Sequence, residues 1–124
     1  MREKASLSKR QGELAELLRV SGMPGKAAVL LAALADGEEL TSRALERLAS
    51  LRQPEVSIAM KEMRVKGWVK KREIRRAGKG RPHHAYRLAA QIRDITKEID
   101  VQARSKLKET EDALTRLRRL MRKF

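Results

Sequence analysis

The chain contains no cysteine. Disulfides, Cys-ligated zinc, iron–sulfur clusters and a thiol nucleophile are thereby excluded. Histidine occurs only as the adjacent pair His83-His84. Neighbouring residues of a strand point to opposite faces, so the two rings are not expected to share an ion. No metal and no cofactor are expected. There are three aromatic residues, Trp68, Tyr86 and Phe124, too few for a surface that grips single strands by stacking. No apolar run reaches the roughly 18 residues needed to span a bilayer. Met1-Arg2-Glu3-Lys4 leads into no apolar stretch of the secretory kind. A cytoplasmic, nucleoid-associated protein that avoids membranes is the expectation. Catalytic signals are also missing: carboxylates sit mostly singly among bases, and no glycine-rich phosphate loop follows a strand. An enzyme is not expected.

What is there is positive charge. Thirty Lys and Arg face sixteen Asp and Glu, a net charge of +14 over 124 residues. Such an excess attracts polyanions. The length suits one core. A first helix is expected from Ser8 to about Val20, with Leu14, Leu17 and Leu18 at helical spacing and Ser21-Gly22 as its stop. Pro24 opens a second helix, apolar nearly all round and hence buried, that ends at Asp36-Gly37. Glu38-Glu39-Leu40 links to a third helix capped by Thr41 or Ser42. Gln53-Pro54 opens a fourth, which runs to about Lys66 and stops at Gly67. Trp68–Arg76 and His84–Leu88 then read as two strands around the turn Ala77-Gly78-Lys79-Gly80-Arg81-Pro82. From Ala89 to Phe124 there is neither Gly nor Pro, and one long helix is expected.

Two helices joined by a short turn and followed by a hairpin make a winged helix-turn-helix. The expected fold is therefore mainly α with a small β-hairpin. Residues 1–88 form the DNA-binding domain and residues 89–124 a long C-terminal dimerisation helix.

On the fourth helix, Val56, Met60 and Met63 share one face and point to the core. Pro54, Ser57, Ile58, Lys61 and Val65 share the other. A cation, a hydroxyl and one apolar side chain together suit the major groove, where Lys reads guanine and Ile touches a thymine methyl. Gln53 suits adenine. Glu55 and Glu62 share a flank and would repel phosphates, so only part of the helix is expected to approach the backbone. Residues 70–81 carry seven bases against Glu73 alone, and residues 52–88 hold twelve bases and three acids. Charge so focused on a glycine-containing hairpin suits the backbone and the narrow minor groove. The candidate DNA contacts are Thr41 and Ser42 at the third helix, and Arg52, Gln53, Pro54, Ser57, Ile58, Lys61 and Arg64 at the fourth. Lys71, Arg75, Arg76, Lys79, Arg81 and His83 complete the set on the hairpin.

In the last helix Ile92, Ile95, Ile99, Ala103, Leu107, Thr110, Leu114, Leu117, Met121 and Phe124 step by threes and fours. A stripe of this length exceeds what a small domain covers, so self-association is expected. The candidate dimer contacts are Ile92, Ile95, Ile99, Leu107, Leu114, Leu117 and Met121.

Leu51-Arg52-Gln53-Pro54-Glu55-Val56-Ser57 through Gly67-Trp68-Val69 resembles the recognition helix of ArsR- and MarR-type winged-helix repressors, with Met60 and Met63 where those carry leucines. Gly78-Lys79-Gly80-Arg81-Pro82 with Tyr86-Arg87-Leu88 resembles the wing of archaeal TrmB-like regulators. The resemblance spans roughly residues 24–90. It implies a homodimeric transcription regulator of double-stranded DNA, with any small-molecule effector unidentified. The metal-sensing sites of the ArsR type do not carry over, for want of cysteine, and no segment corresponds to a TrmB-like sugar-binding domain. Two rival roles fit the same charge: a non-specific architectural DNA-binding protein, and a winged helix used as a protein–protein module.

Overall fold

The chain turns helical at Ser8, whose side chain accepts from the Gln11 backbone N–H at 3.1 Å, while Gln11 Oε1 accepts from the Ser8 N–H at 3.0 Å. This reciprocal cap starts α1, Lys9–Val20. The computed structural model describes residues 6–74 and 83–124. Further along come α2 (Gly25–Leu34), β1 (Leu40–Thr41), α3 (Ser42–Ala49), α4 (Gln53–Val65), β2 (Val69–Ile74), β3 (His83–Leu88) and α5 (Ile92–Met121).

Helix α2 is the axis of the fold. Its apolar residues run round most of its circumference, and Ala27, Ala28 and every residue from Leu30 to Leu34 are buried. Around it pack Leu18 of α1, Leu45 of α3, and Val56, Met60 and Met63 of α4. The core side of α4 is thus the expected one. Gln11 is the one buried polar side chain among the described residues, and its amide donates to the Ala33 carbonyl at 3.4 Å and to Asp36 at 3.5 Å. That joins α1 to the end of α2 without stranding a polar group.

The sheet is antiparallel with order β1-β3-β2. Val69 pairs with Leu88 and Ile74 with His83, so the hairpin is in register along six residues. Leu40 and Thr41 add a short third strand opposite Tyr86 and Ala85. Thr41, rather than Ser42, caps α3, its Oγ1 accepting from the Ala44 N–H at 3.1 Å. The turn expected at residues 77–82 lies outside the described residues.

Gly67 sits at φ +78 between α4 and β2, a backbone region that disfavours side chains. This sharp exit lets Trp68, 1% exposed, fold under α4. Its indole N–H donates to Glu98 of α5 at 2.5 Å, and the Lys66 ammonium lies 4.6 Å from the ring centroid.

The start of α5 differs from expectation. Ile95 is fully buried, Ile99 is 6% exposed and Ile92 packs partly against the same core. The first turns of α5 thus join the same core cluster as α2, α4 and Trp68. Ile95 and Ile99 are therefore covered within the chain, whereas Ile92 stays partly exposed. The core continues past the boundary expected at Leu88. From residue 104 onward every side chain of α5 is exposed.

Beside the hairpin, Arg72 donates to both oxygens of Glu39, at 2.6 and 3.1 Å. Hydrogen bonding from Arg72 holds the Glu39 carboxyl below the usual range, opposed by some burial and helped by the charges of Arg72 and Arg87.

Two outcomes are expected. Ile95→Ala should cost about 2–5 kcal/mol in urea unfolding, because it opens a cavity inside the core; a loss below about 0.5 kcal/mol would mean that α5 is not packed there. A depressed carboxylate gives stability above its ordinary range that is lost as pH falls through the lowered value. Glu39→Gln should therefore lower Tm at neutral pH and flatten its decline below about pH 4.5. A variant with an unchanged acid limb would show that the pair adds nothing.

Candidate nucleic-acid interface

Helix α4 turns one face to solvent. Arg52, Gln53, Pro54, Ser57, Ile58, Lys61 and Arg64 are all exposed, and they include every residue expected to contact DNA on this helix. Ile58 is 64% and Val65 82% exposed, so two apolar side chains stand uncovered among the polar ones. The start of the helix is fixed twice. The Arg52 N–H donates to Glu55 Oε1 at 3.1 Å, and Lys26 of α2 meets Glu55 Oε2 at 2.6 Å. Lys26 and the Arg52 amide, in that order, hold the Glu55 carboxyl below its ordinary range. Glu55 therefore has a structural task, and its negative charge is largely matched before any phosphate approaches.

The third helix lies beside the root of the hairpin. Thr41, Ser42, Arg43, Glu46, Arg47, Ile74, His83 and His84 line a cleft of about 530 Å³ between them. The two hydroxyls expected to touch DNA have internal partners: Thr41 caps α3, and Ser42 Oγ donates to the His84 carbonyl at 3.2 Å. They stay half-buried at the rim of the cleft. His83 and His84 both reach this cleft, although strict alternation would separate them. The reason is at least in part backbone, since the His84 carbonyl faces Ser42. Among the described residues no group of three or more side chains could hold a metal ion.

Arg43 and Arg47 were not among the sequence-derived candidates. They sit four residues apart on α3, hence on one face, directly after the capped turn. That spacing was the available signal. Tyr86 is buried on β3. Burial pushes its hydroxyl up, against the lowering effects of the Arg64 charge and a hydrogen bond with Ser42. Lys71 is exposed on β2 opposite Tyr86. Arg75, Arg76, Lys79 and Arg81 lie outside the described residues. Arg72, one of the seven bases of the segment, is held by Glu39.

Glu39, Lys70, Lys71, Arg72 and Arg87 border one shallow depression on the sheet. Exposed positive charge is thus found on the sheet as well as on α4. No helix among the described residues is long and apolar enough to cross a membrane.

Comparison with known proteins agrees with this architecture. Residues 21–80 match the MarR family. No curated protein matches in sequence. Among solved structures, a possible transcriptional regulator from Methanosarcina mazei Go1 is similar with TM-score 0.55 at 13% identity, over 82% of this chain and 85% of that one. A second transcriptional regulator gives TM-score 0.52 at 17% identity, over 83% and 69%. The transcriptional regulator PA4135 gives 0.50 at 17%, over 92% and 89%. At these identities the likeness speaks for the fold. The fold is thus that of a winged helix-turn-helix protein, and residues 21–80, just under half of the chain, are similar to the MarR family of transcription regulators.

Proposed function

We propose that this chain is a homodimeric transcription regulator that reads specific sequences in double-stranded DNA. Helix α4 enters the major groove, and the basic hairpin follows the backbone and the minor groove. The observation that carries the reading is the exposed face of α4. Ile58 sits uncovered in the middle of Gln53, Ser57, Lys61 and Arg64. An apolar side chain held in water by an otherwise well-packed fold has a use where a thymine methyl can cover it. Around it stand an amide, a hydroxyl and two cations, the donors and acceptors that base edges and phosphates require.

The hairpin supplies charge rather than discrimination. Its lysines and arginines are point charges for phosphates, and their effect on affinity is strongly salt-dependent. Arg43 and Arg47 extend this contact from α3. The family fold and the charge support a gene-regulatory role more than a protein–protein module.

Selection of bound fragments from random duplex DNA tests the reading directly: an enriched motif is expected. Ala at Gln53, Ser57, Ile58 or Lys61 should then cost about 1–3 kcal/mol on that motif and far less on random DNA. If no motif is enriched and all duplexes bind alike, the protein coats DNA and the architectural role takes over. The wing is tested by salt. Replacing Arg75, Arg76, Lys79 and Arg81 with Ala should reduce the slope of log affinity against log salt by about 0.9 for each phosphate that is no longer neutralised. An unchanged slope would take the wing off the phosphates.

A further inference from the structure

The distal part of α5 presents an apolar face that its own chain leaves bare. Leu107, Leu114, Leu117, Leu120 and Met121 are each about half exposed or more, and Phe124 is 96% exposed. Their spacing from Leu107 is three, four, three, four, three, through Thr110, Leu114, Leu117, Met121 and Phe124. That is a heptad seam, with Leu107, Leu114 and Met121 at its a positions and Thr110, Leu117 and Phe124 at d.

Charge along this helix is segregated. Residues 109–112 hold Glu109, Glu111 and Asp112. Residues 113–124 hold Arg116, Arg118, Arg119, Arg122 and Lys123 with no acid. Two copies packed in parallel would bring two such basic tips together. Two copies packed antiparallel bring each tip toward the other copy's acids.

We infer that the distal α5 pairs antiparallel with a second copy of this chain, in the register that sets Leu107 against the partner's Phe124, Thr110 against the partner's Met121 and Leu114 against the partner's Leu117. This rests on the homodimer proposed above and adds its geometry. Three observations select the register. First, every layer joins an a position to a d position, as antiparallel pairing requires. Second, Glu111 and Arg118, both at e positions, come side by side twice by symmetry. Among the described residues neither has an ion-pair partner in its own chain, whereas Arg104 is engaged by Asp100 and Lys106 by Glu109. Third, on the other flank Ala113 meets the partner's Leu120, and these residues with Leu117 line a shallow groove on α5.

The one polar layer is already satisfied. Thr110 Oγ1 donates to the Lys106 carbonyl at 2.9 Å, so its burial would strand no hydroxyl. At the other end, Leu107 lies at the mouth of a groove lined also by Val20, Met23 and Ala103. The partner's Phe124 covers that mouth and draws exposed Val20 of α1 into the seam.

The absence of cysteine makes the test clean. Thr110→Cys and Met121→Cys are prepared singly, with tags of different mass, and oxidised alone and as an equal mixture. The expected product is the mixed disulfide, formed only in the mixture. In a parallel seam each variant would instead cross-link to itself, and this result would overturn the orientation. A dimer by light scattering with no disulfide in any tube would overturn the seam and leave the homodimer standing. A monomer at tens of micromolar would overturn the homodimer itself. Charge gives a second readout. Glu111→Arg or Arg118→Glu alone should weaken dimerisation about tenfold, and the double swap should restore it. Both positions are exposed, so helix content should stay unchanged; additive loss in the double variant would sink the register.

Discussion

The indole of Trp68 joins the parts of this molecule. It follows directly on the glycine that ends α4, so its position is set by the helix that faces solvent. It is buried against the apolar start of α5, and its one polar atom finds Glu98 on that helix. A buried indole N–H without an acceptor would cost on the order of 1–3 kcal/mol, so the bond and the packing reinforce one another. One residue thus stands between the end of α4 and the start of β2 and is hydrogen-bonded to α5.

The helices, the hairpin and the core side of α4 were legible from the sequence, because each rests on short-range regularities. Ser8 and Thr41 announce their helices by local hydrogen bonding, and Gly67 announces a stop by its backbone freedom. What could not be read was long-range. The stripe on α5 is continuous in sequence, but the structure divides it: Ile95 and Ile99 are buried in the core, and from Leu107 onward the stripe is exposed. Periodicity shows that a face is apolar and is silent on what covers it. The cleft beside α3 was illegible for the same reason, since Arg43 and His83 are forty residues apart in sequence and meet only because β1 pairs with β3.

Composition likewise overstates the charge available to a polyanion. Lys26, Arg72, Arg19 and Arg104 each lie within ion-pair distance of a carboxylate of the same chain. Such pairs contribute little to stability when exposed. They nevertheless sort the cations by task. Lys26 steadies the start of α4 and Arg72 steadies the hairpin, while Lys61 and Arg64 are exposed and form no ion pair among the described residues.

Strand β1 is only two residues long, yet its two positions have different duties. Leu40 points into the core opposite Tyr86, and Thr41, opposite Ala85, caps α3. A slip of one residue along β3 would turn Leu40 to solvent and in the same movement withdraw the hydroxyl that begins the helix. A slip of two would restore the facing but carry α3 about 7 Å along the sheet, away from α4. The helix is thus seated like a tooth in a ratchet: its position is quantised by the pleat, and small errors in placing it have no intermediate resting place.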